Sequence, residues 1–164
     1  MKKFLAILMI AALSLCILVS CSGETVHYST DIACADLAAA ADAAIAADPA
    51  MIVLPDDYVI GMNQIDITVF ADYIVKGANA GASVDEYGIF KAPDIESVAS
   101  IEQIAKDYIK MRIDTWNPQY QAEERPKVDN ATVKVMGQYV VYCILADDVK
   151  SAVFTAIENK LLGK

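Results

Sequence analysis

Apolar and polar positions along the chain fall into blocks of different period, and each block predicts an element. Residues 4–19 are apolar, with Ser14 and Cys16 as mild exceptions, behind Lys2 and Lys3. That run has the length of a signal-peptide core and falls short of the roughly 20 apolar residues a spanning helix needs. From Asp31 to Asp48 an alanine-rich segment sets Leu37, Ala41, Ala44 and Ile45 on one stripe. This predicts a helix capped by Asp31 and ended by Asp48-Pro49. Pro55-Asp56-Asp57 then opens a short helix through Met62. β-Branched and aromatic residues crowd TVFADYIVKGA (Thr68–Ala78) and EYGIFKA (Glu86–Ala92), which read as two strands joined antiparallel by the loop Asn79–Ser83.

After Asp94 the period becomes helical, with Val98, Ile101, Ala105, Tyr108 and Ile109 on one face, Trp116 continuing it, and Ser100 with Gln103 as a capping box if the helix starts late. Asn117-Pro118 breaks or kinks this helix, and the polar stretch Gln119–Lys127 leads to the next strand. TVKVM (Thr132–Met136), Gly137-Gln138 and YVVYCIL (Tyr139–Leu145) form a hairpin with glycine first in a two-residue turn, as type II′ requires. Asp147 or Asp148 caps a last helix that carries Val149, Val153, Ile157 and Leu161 on one side. The expected fold is α+β: a two-layer domain in which an antiparallel four-stranded sheet, made of two strand pairs, is covered on one face by about three helices.

Leu18-Val19-Ser20-Cys21 matches a lipobox: a branched apolar residue, a tolerant position, a small residue, and a cysteine whose thiol takes a diacylglyceryl group. Cys16 does not fit, because Leu15 stands where the small residue belongs. Residues 1–20 are then a lipoprotein signal peptide, residues 21–30 a flexible tether, and residues 31–164 a single α+β domain. Lipid on Cys21 contributes about 0.8 kcal/mol per buried methylene and anchors the chain without a spanning helix. The expected location is the outer face of the cytoplasmic membrane.

Composition narrows the partners. Losing the signal removes Lys2 and Lys3 and leaves 11 basic against 22 acidic residues, so nucleic acid is not an expected partner. Cys34 and Cys143 are either a disulfide in an exported protein or two small buried side chains. The single histidine, His27, lies in the tether, away from any rigid site where a nucleophile and base could meet. No cysteine or histidine spacing suggests zinc, and no cofactor is expected. The acid pairs Asp56-Asp57, Asp85-Glu86 and Asp147-Asp148 sit at element ends, where carboxylates favour helix N-termini or, in the rarer case, act in hydrolysis or hold calcium. Glu86 and Arg112, each beside apolar neighbours, are candidates for a buried or half-buried ion pair, structural sooner than catalytic. Tyr87, Tyr139 and Trp116 are candidates for sugar or peptide contact if they gather on an exposed face, and for the core otherwise.

DEYGIFKA (Asp85–Ala92), the long helix carrying Arg112, KVMGQYVVYCIL (Lys134–Leu145) and the terminal helix together resemble the DUF4358 family over Asp56 to Leu161. That resemblance implies a small bacterial lipoprotein of unknown function, of a kind found mainly in Gram-positive anaerobes, and supplies no catalytic residue. The alanine-rich first helix and Trp116-Asn117-Pro118 depart from the family pattern. The function expected is a non-enzymatic binding or protein-interaction module of the cell envelope, partnered by the membrane through Cys21 and by an envelope protein or small ligand. The alternatives are an envelope hydrolase using acidic residues and an accessory solute-binding lipoprotein.

Overall fold

The computed structural model describes residues 26–46, 50–62, 64–79, 83–119 and 121–164. The signal segment, Cys21, Asp48-Pro49 and Tyr120 lie outside them. In chain order the elements are α1 (Cys34–Ile45), β1 (Ile52–Val53), α2 (Asp56–Gly61), β2 (Asp72–Gly77), β3 (Glu86–Lys91), α3 (Val98–Asp114), α4 (Arg125–Asp129), β4 (Thr132–Met136), β5 (Tyr139–Ile144) and α5 (Asp147–Leu161), with 3₁₀ turns at Ile67–Val69 and Ala122–Glu124. The strands form one sheet, ordered β1-β2-β3-β5-β4 and antiparallel throughout.

The α+β class holds, with five strands among the described residues where four were expected and five α-helices among them where about three were. The additions are short. β1 is a two-residue edge beside β2, and α4 is a short helix with Pro126 near its start, overlapping the end of the stretch that read as a polar connection.

Helices cover both faces of the sheet, so the expected two layers become three. Tyr87, Ile89, Tyr139, Val141 and Cys143 pack on α1 and α5, which lie side by side. The alternate residues Phe90, Val140, Tyr142 and Ile144 pack on α3, with Val59 of α2 and Val128 of α4. The reason lies in β5, where every residue is buried. Leaving Phe90, Val140, Tyr142 and Ile144 in water would forfeit about 1.5–3 kcal/mol each, roughly the whole stability of a domain. A continuous apolar strand therefore demands cover on both sides.

Several local expectations change. Asp31 does not cap α1; the Cys34 amide donates instead to Asp72 Oδ2 of β2 at 2.7 Å. α5 has no side-chain cap, although Asp147 and Asp148 occupy its first turn. α3 starts earlier than a Ser100–Gln103 box would place it; Asp94 accepts from the Ser97 amide at 2.8 Å, and Val98 is the first helical residue. Near the end of the segment that read as a tether, the Ser29 amide donates to the Leu161 carbonyl and the Tyr28 hydroxyl to Glu158, which holds these two residues against α5. The hairpin turn has Gly137 at φ 61°, as a glycine-first turn needs. Cys34 and Cys143 are free thiols buried in the α1–α5 layer.

Candidate functional site

Register builds the site. Glu86, first in β3, shares the α3 face with Gly88 and Phe90, while Gly88 stands opposite Tyr142 of β5. A Cβ on Gly88 would lie 2.2 Å from Tyr142 Cε1, so only glycine lets the tyrosine ring cross its neighbour strand. Lying there, the Tyr142 hydroxyl reaches Glu86 Oε1 at 2.7 Å. Tyr108 and Arg112, one turn apart on α3, complete that side: the Tyr108 hydroxyl donates to the same oxygen at 2.6 Å, and Arg112 Nη1 donates to Glu86 Oε2 at 2.9 Å. Tyr58 of α2 donates to Oε2 at 2.7 Å.

Glu86 is only 3% exposed. A carboxylate offers about four acceptor positions, and here four donors occupy them. Burial, then the charge of Glu86, raises the Tyr108 and Tyr142 hydroxyls above the usual tyrosine range; the same two effects raise Tyr58. All three thus remain protonated donors at neutral pH. Burial by itself would lower the Arg112 guanidinium, but Tyr108 and Glu86 beside it leave it raised. Arg112 Nη1 also donates to the Tyr108 hydroxyl at 2.5 Å. Both bonds come from Nη1, and neither uses Nη2 or Nε.

The cluster opens on two clefts. One, of about 500 Å³, is lined by Asp57, Tyr58, Gly61, Met62, Tyr108, Met111 and Arg112. The second, of about 290 Å³, runs past Leu54, Val84, Asp85, Glu86 and Gln121. Tyr58 and Arg112 line both, forming the divide between them. The larger has the size of a small-molecule pocket. Beside the smaller, Lys127 pairs with Asp85 at 2.8 Å and Glu124 at 2.9 Å, tying α4 to the start of β3.

The family model for a domain of unknown function, DUF4358, matches residues 57–145. The chain belongs to the DUF4358 family. The match runs from α2 through β5 and so contains Tyr58, Glu86, Tyr108, Arg112 and Tyr142; α1, β1 and the whole of α5 lie outside it, a narrower span than the resemblance suggested. Neither the curated proteins nor the solved structures give a match.

Of the candidate residues in this DUF4358 protein, the structure brings Glu86 and Arg112 together and separates the aromatics from them. Tyr87 and Tyr139 are fully buried on the opposite face of the sheet. They are core residues there, with Tyr87 donating to Asp42 at 2.7 Å and Tyr139 to the Ile32 carbonyl at 2.6 Å. Trp116 is half-buried against the α3 layer, with Arg125 over its ring. Tyr58, Tyr108 and Tyr142 were not singled out from the sequence. The available signals were the Tyr108–Arg112 spacing of four on a helix and a strand glycine after Glu86. Among the described residues, no helix is long and apolar enough to cross a membrane, and no three His, Cys, Asp or Glu side chains gather as metal ligands.

Proposed function

We propose that this protein is a lipid-anchored, extracytoplasmic and non-enzymatic binding module of the cell envelope, and that it receives its ligand or partner in the cleft at Arg112 and Tyr58. The observation that carries the reading is the filled carboxylate of Glu86. With two hydroxyls on Oε1 and a hydroxyl and a guanidinium on Oε2, no lone pair remains to attack a substrate or take its proton, as acidic hydrolysis requires. Glu86 instead fixes one edge of Arg112 in a buried setting and leaves the residue lining the cleft, a geometry suited to recognition. Anchoring rests on Leu18-Val19-Ser20-Cys21 behind its basic, apolar leader.

Two measurements test this. Cys21→Ala abolishes labelling by a fatty-acid analogue, and persistent labelling refutes the anchor. A photo-cross-linking residue at Met111, in the cleft, yields an adduct in the intact envelope, while one at exposed Thr155 on α5 does not; no adduct, or equal adducts at both, refutes the binding site.

A further inference from the structure

Resting on that reading of the cleft, we infer that its ligand is a small zwitterion carrying an amine and a carboxylate, a free amino acid or short peptide with an apolar side chain. Charge decides the class. In the larger cleft Arg112 provides a cationic fork for a carboxylate, but Glu86 already balances its charge at 2.9 Å. Asp57 lines the same cleft, and among the described residues no hydrogen bond or ion pair engages its side chain; neighbouring Asp56, by contrast, accepts from Tyr73 at 2.7 Å. A lone anion at Arg112 would face two carboxylates and the field of a chain with net charge -9. A lone cation at Asp57 would make no use of the guanidinium edge, Nη2 and Nε, that the bonds from Nη1 to Glu86 and Tyr108 leave open. A zwitterion meets both, its carboxylate on Arg112 with the Tyr58 hydroxyl near and its ammonium on Asp57. Met62 and Met111 supply adaptable apolar walls for the side chain.

The test is titration calorimetry and thermal melting of the full-length protein with leucine, dileucine, leucinamide and N-acetylleucine. Leucine or dileucine binds saturably and raises the melting temperature, and the difference between them separates a free amino acid from a peptide. Leucinamide, lacking the carboxylate, and N-acetylleucine, lacking the ammonium, each bind about tenfold or more weakly, because a charge-assisted hydrogen bond to Arg112 or to Asp57 goes unmade. Arg112→Lys weakens binding. Asp57→Asn, on an exposed position outside the packed network, does so without risk to folding. Absence of binding by both zwitterions, equal binding of the blocked compounds, or unchanged affinity in Asp57→Asn overturns the inference. A cross-link at Met111 combined with silent zwitterions would remove the ligand class and leave the binding module standing.

Discussion

Replacing Glu86 by glutamine is the most informative single change, because it alters one atom and removes one charge at the centre of the network. The amide keeps one acceptor oxygen and turns the other into a donor. Four donors now converge on a group that accepts at only one end. Tyrosine hydroxyls can turn round to accept, but Arg112 has no acceptor, and its guanidinium, with a side chain 21% exposed, loses its counter-charge. Breaking a buried pair from one side costs roughly 3–5 kcal/mol. For a domain of this size each kcal/mol lowers the melting temperature by about 2–4 °C, so the fall should be roughly 6–20 °C. Tyr142→Phe removes a single bond to the same charged acceptor and should cost less, about 1.5–3 kcal/mol. Melting of the full-length proteins, followed by circular dichroism, gives both numbers. A fall below about 3 °C for Glu86→Gln, or a larger fall for Tyr142→Phe than for Glu86→Gln, would refute a buried, four-bonded carboxylate.

Three further outcomes follow from the same packing. Gly88→Ala pushes a methyl into the Tyr142 ring, which must leave Glu86, so chemical denaturation should show a loss of about 1–3 kcal/mol for overpacking plus the hydrogen bond; wild-type stability would mean the ring does not cross the glycine. Tyr87, Tyr108 and Tyr142 have folded-state pKa values raised above the unfolded value near 10. Their contribution is complete below that pH and lost above it, at about 1.4 kcal/mol per pH unit for each, or about 4 for the three together. Denaturation midpoints should therefore begin to fall above about pH 8.5, where the raised Cys34 and Cys143 thiols add their own loss, and fall more steeply beyond about 10; a flat profile through pH 11 would contradict the burial. Burial likewise pushes the Cys34 and Cys143 thiols up, so peptide-mapped alkylation should label them only after unfolding.

The strongest sequence signals were local ones. The hairpin at Gly137 was legible because a glycine-first turn between the alternating TVKVM and the apolar YVVYCIL leaves few other solutions, and α3 was legible from its period. The second helical layer was missed although the uninterrupted YVVYCIL implied it, since a strand buried on both faces cannot carry an open side. β1 and α4 were too short to leave a periodic trace. At the site, Glu86 and Arg112 stood out as charges among apolar neighbours. Their tyrosine partners did not: Tyr58 comes from a helix of only six residues, and Tyr142 reaches Glu86 only through the register that sets it against Gly88. Register is a property of the assembled sheet. Tyr87 and Tyr139, equally aromatic, fall on the other face by the parity of the strand.

The most direct test of Glu86 as a saturated anchor for Arg112 is nuclear magnetic resonance of the tyrosine hydroxyl protons. Tyr108 and Tyr142 should give slowly exchanging hydroxyl resonances at neutral pH, lost in Glu86→Gln. Hydroxyl protons that exchange freely with water, or that persist unchanged when the carboxylate is replaced, would contradict it.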